Sequence, residues 1–429
     1  MEDPRLSRMY AALVARRISD LRRSLWRIAV IRSGLLTMVV VTAAILGLAV
    51  GWRAHREGRF SRLKQELKQE PTTSQPPAAA RPGGQDAIVL QRARLEGQTV
   101  PEFLTATVLP GLGMNVLQIT AYLPQKGEVS LLASPTLDEV ARLPIGSLAM
   151  GGSFEAPWTN RISGAASADG KSLTTTWRGH TFVLPATQKV RDGEAMALGG
   201  LLLGRAAATT STHVMPDGGE AEAKFDSGNF GGHWVSHTEI TTSVQLSGRA
   251  MEIKVVAKNT GDEPEPLGIG WHPRFAILSG DRGQATLRMP NAMRAEVRDR
   301  RGGLPTGKLL PVIGTEYDFT ARNGRQLGEL SLDDSFVHLR PALLDSGPIA
   351  ELRDPESNYG LRMTAITPAI KAMRVQAPAG EKFVSIEPQF NYDDPFGPEW
   401  PKDQDTGMVI LQPGQSVQWQ VRLEIFPLT

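Results

Sequence analysis

The sequence predicts an all-β protein, a large antiparallel β-sandwich, preceded by an N-terminal helical membrane anchor. Across residues 87–429, short apolar or alternating runs are separated by Gly, Pro, Asn and Asp about every eight to twelve residues, as in a sandwich. Few windows in this stretch have a long helical period. A long uncharged segment near the N-terminus predicts the anchor.

Residues 87–429 are predicted to form one domain with many strands. Four of its strand-like runs are EIKVVAK at 252–258, LGIGWHPRFAI at 267–277, KFVSIEP at 382–388 and SVQWQVRLEIF at 416–426. No fixed-period repeat divides this stretch. Because it is long for a single sandwich, we expect two layers with many strands each.

The composition excludes several classes of function. The chain has 429 residues, of which 41% are hydrophobic, so a sizeable core can form. A net charge of only +2 gives no reason to expect nucleic-acid binding. The absence of cysteine excludes disulfides, thiolate catalysis and sites with cysteine ligands for zinc or iron–sulfur clusters. A chain without cysteine suits an oxidising compartment.

The uncharged segment covers residues 33–52, from Ser33 to Trp52. Twenty residues in a helix at about 1.5 Å per residue span the hydrocarbon core of a bilayer. The segment begins too far along the chain, and is too long, for an ordinary signal-peptide core. We interpret it as one uncleaved transmembrane helix. A cleaved signal peptide and a buried core helix are the alternatives.

The flanks of this segment are basic on both sides. Residues 1–32 form a predicted basic amphipathic segment with eight arginines, and six basic residues lie between 53 and 68. The excess before the span predicts a cytoplasmic N-terminus and a periplasmic or extracellular C-terminal body, as a single-pass membrane protein. Residues 53–86 combine a charged segment with a linker rich in Pro, Ala and Gly, and the folded body is predicted to begin at Ala87.

Two strand-like segments each carry one group suited to proton transfer. The run at 268–277 contains His272, and the run at 385–390 contains Glu387. An imidazole and a carboxylate brought together across a sheet form a general acid/base pair. Alternation along an extended strand places His272 on one face and Trp271 on the other. Taken alone, a histidine before proline is more often structural or exposed, and a glutamate at a strand end is usually a solvated charge.

Five motifs, in order along the chain, resemble segments of the aldose 1-epimerase (galactose mutarotase) family. They are GGSFEAPWTNRISG at 151–164, GIGWHPRF at 268–275, LDDSFVHL at 332–339, SIEPQF at 385–390 and LQPGQSVQWQVRLEIF at 411–426. A single motif of this kind is a weak signal, and five in the same order are fairly specific. The resemblance implies a galactose mutarotase-like supersandwich.

The resemblance also implies a set of site residues. The family's catalytic histidine and catalytic glutamate correspond to His272 and Glu387. Its sugar-contacting arginine corresponds to Arg161, and its sugar-binding aspartate corresponds to Asp333. Trp271, next to His272, is a further candidate for sugar binding, because an indole ring offers a broad apolar surface for a sugar face.

One position departs from the family pattern. The family has a second histidine, which helps to hold the sugar, in a segment that resembles MALGGLLLG at 196–204, and here Gly199 stands in its place. The substitution implies altered substrate choice, a substitute from another loop, or a binding protein without turnover. Four other histidines are candidates for the substitute: His180, His213, His233 and His237.

The implied reaction interconverts the α and β anomers of a free aldose through ring opening and closure. Glu387, ionised at neutral pH, accepts a proton from the C1 hydroxyl, and His272 delivers one to the ring oxygen. The reaction needs no metal or cofactor, and the sequence has no tight cluster of ligand residues. The expected partner is a monosaccharide or glycan, and the sequence leaves the oligomeric state open.

Other functions remain open at this stage. A second kind of epimerase would act on a phosphorylated hexose, with Arg161 and Arg274 as candidate phosphate ligands. A non-catalytic, membrane-tethered carbohydrate-binding module is favoured by Gly199 and disfavoured by the presence of both His272 and Glu387. A purely structural envelope protein would need none of these site residues.

Overall fold

The computed structural model describes Leu48 and residues 81–93, 97–144, 146–299 and 302–429. The chain divides into two compact units, and apart from Leu48 every described residue belongs to the second, Gln69–Thr429. Within these described residues, no helix combines the length and the apolar character needed to cross a bilayer. The predicted amphipathic segment at 1–32 and, except for Leu48, the predicted anchor at 33–52 lie outside the described residues.

The larger of the two main sheets has eleven strands. Strands are numbered in chain order, and those of this sheet are β1 (Ile88–Gln91), β2 (Glu102–Leu109), β3 (Asn115–Leu123), β4 (Gly127–Ser130), β5 (Gly152–Glu155), β16 (Gly270–Ala276), β18 (Asn291–Val297), β19 (Pro305–Pro311), β21 (Leu332–Arg340), β24 (Ala372–Ala377) and β25 (Phe383–Gln389). Their spatial order is β1-β2-β3-β5-β16-β25-β24-β21-β18-β19, and β4 pairs with β3.

The second main sheet has nine strands. They are β11 (Thr209–Met215), β12 (Gly218–Gly228), β13 (Thr238–Leu246), β14 (Ala250–Asn259), β17 (Thr286–Arg288), β20 (Arg325–Gln326), β22 (Ile349–Asp354), β23 (Tyr359–Ala365) and β27 (Ser416–Phe426). Their spatial order is β11-β12-β13-β14-β27-β23-β22-β17-β20. The pairings of β13 with β14 and of β14 with β27 are antiparallel.

Two smaller sheets and four short helices complete the described fold. The five-stranded sheet, in the order β8-β7-β6-β10-β9, contains β6 (Arg161–Ala166), β7 (Ser172–Trp177), β8 (His180–Pro185), β9 (Gln188–Arg191) and β10 (Glu194–Leu198). The two-stranded sheet pairs β15 (Glu265–Leu267) with β26 (Val409–Leu411). The helices are α1 (Leu137–Val140) and 3₁₀ turns at Pro82–Gly84, Pro110–Leu112 and Pro355–Ser357.

The hydrophobic core lies where the two main sheets meet. Strand β2 contacts β13, β14 and β27 across the interface. Phe103, Ile253 and Val421, from β2, β14 and β27, are fully buried there. Burying each such side chain contributes about 1.5–3 kcal/mol. This packing of one sheet on another gives the all-β sandwich. The sequence predicts that fold from its short alternating runs, which are separated by turn residues.

Five neighbouring strands of the eleven-stranded sheet position the candidate site. They are β5, β16, β25, β24 and β21, in that spatial order. On β25, Val384 and Ile386 belong to the hydrophobic core, and the alternation of a strand turns Ser385 and Glu387 to the other face. Both faces of β25 are buried. Polar side chains of neighbouring strands therefore meet in a covered space.

Candidate active site

The centre of the candidate site is a contact between His272 and Glu387. His272 lies on β16, Glu387 lies on β25, and the two strands pair directly. Nδ1 of His272 lies 3.0 Å from Oε2 of Glu387, a hydrogen-bond distance. The imidazole is 3% exposed and the carboxylate is 0% exposed. The structure therefore brings together the two groups that the sequence analysis selected as an acid/base pair.

The third predicted residue of this region, Trp271, points away from the site. It is fully buried in the hydrophobic core, and its Nε1 donates a hydrogen bond to the carbonyl oxygen of Gly152 at 3.0 Å. Gly152 is needed there, because a Cβ at that position would come within 2.7 Å of the indole ring. The expectation that Trp271 binds a sugar is therefore corrected: strand alternation turns its ring into the core when it turns His272 outward.

Arg374, which the sequence analysis missed, connects the two acidic groups of the site. It lies on β24, opposite Glu387 in the strand register. Its guanidinium lies 3.5 Å from Oε2 of Glu387 and also pairs with Asp333. Burial alone would lower the pKa of Arg374, but the charges of Asp333 and Glu387 outweigh burial and raise that pKa further. Arg374 is therefore a permanent cation between them.

The predicted sugar contacts Arg161 and Asp333 lie next to this cation. Asp333 accepts hydrogen bonds from Arg374 and, at 3.4 Å, from Arg161. Burial raises the pKa of Asp333, but the two arginines more than offset burial and lower it below its usual value. Arg161 also donates to the carbonyl oxygen of Gly303 at 2.6 Å. The four polar residues that the family resemblance implies thus lie in one connected network.

Glu155 is a third carboxyl group of the site, which the sequence analysis missed. It lies at the end of β5, opposite Gly270 in the register, and is fully buried. Its Oε2 accepts a hydrogen bond from the backbone N–H of Asn160 at 2.6 Å. Burial and the charge of Glu387 raise the pKa of Glu155 well above its usual value.

The pKa of Glu387 is shifted in the opposite direction, below its usual value. Burial raises its pKa, but the positive charge of His272, its hydrogen bond with His272 and the charge of Arg374 together outweigh burial and lower the pKa. Environments that push the pKa values of two carboxyl groups apart give them different protonation states. The lowered pKa of Glu387 and the raised pKa of Glu155 therefore favour ionisation of Glu387 over ionisation of Glu155.

Two aspartates after Glu387, Asp393 and Asp394, are also buried. Asp393 accepts a hydrogen bond from the hydroxyl of Ser335 at 2.6 Å. Asp394 accepts from the backbone N–H and the hydroxyl of Ser163, at 2.8 and 2.6 Å. Burial raises the pKa of both. These contacts tie the loop after β25 to β6 and β21, so the aspartates have a structural position.

The site opens into a pocket with a volume of about 440 Å³. Strand residues of the eleven-stranded and five-stranded sheets, together with adjoining loop residues, line this pocket. They include Asn160, Arg161, Gln188, Met196, Leu198, His272, Arg274, Asp333, Arg374, Gln376, Glu381 and Phe383. This size is typical of a site for a small molecule. Glu387 and Glu155 lie behind this lining, and Glu387 is covered by its contact with His272.

None of the four alternative histidines lines this pocket in the part of the chain that the structure describes. The pocket's histidine is His272; His180, His213 and His237 are exposed elsewhere, and His233 is bonded to the carbonyl oxygen of Val183 at 2.5 Å. A histidine at Gly199 would be strained, because φ is +76° there and its Cβ would lie 2.7 Å from Cδ1 of Leu203. No other described histidine therefore replaces the one that the resemblance leads us to expect.

Glu155, His272 and Glu387 present oxygen and nitrogen atoms that all lie within 4.8 Å of one another. That spacing alone is compatible with a metal ion. The charge balance does not fit one, because Arg374 already places a permanent cation against the same oxygen of Glu387. Among these three side chains, the contact of 3.0 Å between His272 and Glu387 is at hydrogen-bond distance. The expectation that the site needs no metal or cofactor remains a prediction.

Comparisons with known proteins agree with this architecture. A family model described as aldose 1-epimerase matches residues 118–424. Similar solved structures include a galactose mutarotase-like protein from Clostridium acetobutylicum, at 17% identity and a TM-score of 0.62, covering 84% of this chain and 100% of that one. No curated protein sequence matches the chain at a significant level.

Two further structures are similar to this chain at low identity. An aldose epimerase homologue from C. elegans has 19% identity and a TM-score of 0.58, covering 76% of this chain and 96% of that one. A galactose 1-epimerase from Lactobacillus acidophilus NCFM has 15% identity and a TM-score of 0.56, with 79% and 98% covered. At these identities the structures support the fold and leave the activity of this chain to be argued from its site.

Proposed function

Because the chain belongs to the aldose 1-epimerase family, we propose that it interconverts the α and β anomers of a free aldose. The observation that carries the proposal is the contact between His272 and Glu387 at the base of the pocket, with 3.0 Å between Nδ1 and Oε2. A carboxylate beside an imidazole offers the two groups that ring opening uses, because one proton leaves the C1 hydroxyl and another reaches the ring oxygen.

In the proposed mechanism, Glu387 is the base and His272 is the acid. The C1 hydroxyl takes the place of the imidazole on Oε2 of Glu387, next to Arg374, and gives up its proton there. The electron pair of the O–H bond forms the carbonyl, the bond from C1 to the ring oxygen breaks, and His272 protonates that oxygen. Rotation about C1–C2 and the reverse transfers close the ring on the other face. Each positioned transfer contributes roughly 10²–10⁴-fold.

The pocket offers groups that would hold the sugar during this rotation. Arg161 and Asp333 face it from β6 and β21, and Asn160 and Gln376 add amide groups. Arg161 and Asp333 are fixed by their mutual hydrogen bond and by Arg374. Groups that are already oriented lose little entropy on binding a substrate. We assign them to binding the sugar hydroxyls.

The proposal is tested by following fresh α-glucose and α-galactose by polarimetry with the full-length protein in detergent. The variants are Glu387→Gln and His272→Asn, and the control is Glu265→Gln, which changes a buried glutamate that bonds to Thr238 outside the pocket. We expect acceleration by the wild type and the control, and its loss in both site variants. Sugar binding without acceleration by the wild type would favour a carbohydrate-binding module instead.

One observation favours a phosphorylated hexose as an alternative substrate, in place of a free aldose. Arg274 lines the pocket two residues after His272, so both side chains are on the same face of β16, and its guanidinium lies over the ring of Phe383 at 4.1 Å. No described carboxylate lies within salt-bridge distance of Arg274, although Glu381 also lines the pocket. Two strand residues span about 7 Å, roughly the distance from C1 of a pyranose to a substituent on its far side.

We further propose that the chain is anchored in a membrane as a single-pass protein, with the N-terminus in the cytoplasm and the epimerase body on the periplasmic or extracellular side. The support is in the sequence: residues 33–52 carry no charge, and more basic residues precede them than follow them. A free monosaccharide or a glycan end outside the cytoplasm is then the expected substrate.

A further inference from the structure

Glu155 is a buried acidic group to which the mechanism above gives no role. It lies on β5, the strand next to the one that carries His272, and it is fully buried. Its Oε2 accepts the N–H of Asn160 at 2.6 Å, whereas its Oε1 has no hydrogen-bond partner among the described residues. A buried oxygen without a hydrogen bond costs free energy of folding. We therefore expect Oε1 to form a hydrogen bond with a neighbouring group.

The groups around Glu155 indicate that Glu387 is its hydrogen-bonding neighbour. Atoms of Glu155, His272 and Glu387 lie within 4.8 Å of one another, and Arg374 is the remaining charged group close to them. Oε1 of Glu387 is likewise buried without a partner among the described residues. Two adjacent buried carboxyl groups do not both ionise readily, because like charges in a medium of low polarity repel.

The loop at Gly199 keeps this pair of carboxyl groups enclosed. A Cβ built at Gly199 would lie 3.5 Å from Oε1 of Glu155 and 2.7 Å from Cδ1 of Leu203. Its φ of +76° also favours glycine over other residues. The glycine thus lets the loop lie close to Glu155. At the position where the family resemblance leads us to expect a histidine, the chain therefore packs against the carboxyl group of Glu155.

We propose that Glu155 is a positioning residue for the acid/base pair: as a neutral carboxyl group it donates a hydrogen bond to Glu387 and shares its proton with that carboxylate. This inference rests on the proposed function, because it assigns Glu155 a task in the same site. The donated bond keeps Glu387 ionised and oriented while the imidazole leaves Oε2. The pair carries one negative charge, which Arg374 balances.

The test compares Glu155→Gln with Glu155→Leu in the full-length protein. The glutamine amide can accept from Asn160 and donate to Glu387, so it copies the neutral acid, whereas leucine fills the space and donates nothing. We expect Glu155→Gln to keep kcat within about threefold. The acid limb of the pH profile, where kcat/KM falls as the pH is lowered, should stay at the same pH. Glu155→Leu should lower kcat about tenfold or more and move that limb to higher pH, with little change in KM.

Glu265→Gln, the same change at a buried glutamate outside the pocket, is the kinetic control. Two results would overturn the inference. If Glu155→Gln moves the acid limb to lower pH, the wild-type residue is an anion that repels charge on Glu387. If both variants lose stability without any displacement of the limb, Glu155 has only a structural role. Loss of wild-type activity in a chelator, restored by zinc, would also overturn it.

Infrared difference spectroscopy provides a measurement that does not depend on turnover or on the leucine variant. The spectrum of the wild type minus that of Glu155→Gln at neutral pH should contain the carbonyl stretch of a protonated carboxylic acid. A difference with only carboxylate bands would refute the neutral state. If the wild type converts no aldose but this band is present, the proposed function fails and the shared proton stands.

Discussion

Arg374 is the permanent positive charge between the two ionised carboxylates of the site. Its guanidinium lies 3.5 Å from Glu387 and pairs with Asp333 on the other side. A buried ion pair that loses one partner leaves an uncompensated charge, which costs about 3–5 kcal/mol. The lowered pKa values of Glu387 and Asp333 both depend partly on this one cation.

Replacing this cation should change both pH dependence and stability. The pKa of Glu387 lies below its ordinary value of 4.5, so its ionisation stabilises the fold above that value and this contribution is lost as pH falls through the lowered pKa. Arg374→Gln removes one cause of the lowering. We expect an acid limb of kcat/KM at higher pH, and a free energy of unfolding lower by about 3–5 kcal/mol.

Denaturant titrations and pH–rate profiles measure these changes. The matched control is Arg294→Gln in the same sheet, which breaks a salt bridge of 2.9 Å to Asp334 outside the pocket lining. The control should lose stability without moving the acid limb. An unmoved limb in Arg374→Gln would show that Arg374 does not set the ionisation of Glu387.

Arg274 should decide between a neutral and an anionic sugar. A hydrogen bond to a charged group contributes about 1.5–3 kcal/mol, so Arg274→Gln should weaken binding of a phosphorylated hexose roughly 10–100-fold. The KM for glucose should stay within about twofold, which makes the neutral sugar an internal control. Equal effects on both sugars, measured by initial-rate kinetics, would exclude Arg274 as a phosphate ligand.

Strand β16 turns a pocket residue and a core residue to opposite faces through simple alternation. His272 faces the pocket, and Trp271 faces the core against Phe154 and Phe275, with ring centroids 6.4 and 6.1 Å away. A side chain on the core face contributes to the stability of the sheet and does not contact a ligand. The same division holds on β25, where Val384 and Ile386 face the core.

A substitution at Trp271 tests this division. Trp271→Phe leaves a cavity and removes the hydrogen bond to Gly152, so we expect stability to fall by about 1–3 kcal/mol. The KM for the sugar should stay within about twofold, because the indole does not reach the pocket. Trp177→Phe on the partly exposed strand β7 is the control, with little change expected in either quantity. A large rise in KM for Trp271→Phe would restore the sugar-stacking role.

The strands, and the strand face on which each side chain lies, could largely be predicted from the sequence. The part that two charged residues play in the site could not. Alternation places His272 and Glu387 on strands and turns Trp271 away from them. Arg374 and Glu155 stand in strands that carry no recognisable site motif, and their importance depends on which strands become neighbours. A single charge among apolar strand residues was the available signal, and it does not identify the partner.

At the scale of the whole molecule, the described body is an all-β sandwich, with a small five-stranded sheet contributing to the pocket over the larger main sheet. The sandwich was predictable because turn residues and alternating runs repeat along residues 87–429. The order of strands was not, because neighbours such as β5, β16 and β25 are far apart in the chain. Long-range pairing of this kind leaves no local pattern in the sequence.

The proposed membrane anchor predicts how the whole chain fractionates. The full-length protein should sediment with membranes and resist alkaline extraction, because an uncharged helix of twenty residues inserts stably. A variant lacking residues 33–52 should be recovered in the soluble fraction. Release of the full-length protein by alkaline washing would contradict the anchor, and protection of the body from external protease would contradict its orientation.

Whether Glu387 is the base of an aldose 1-epimerase is best decided by the rate of exchange between the anomers of glucose and of galactose at equilibrium, measured by NMR with wild-type protein and Glu387→Gln. We expect exchange well above the uncatalysed rate with the wild type, and a fall of roughly 10²–10⁴-fold in the variant. Equal exchange with the wild type and the variant would contradict the assignment of Glu387 as the base.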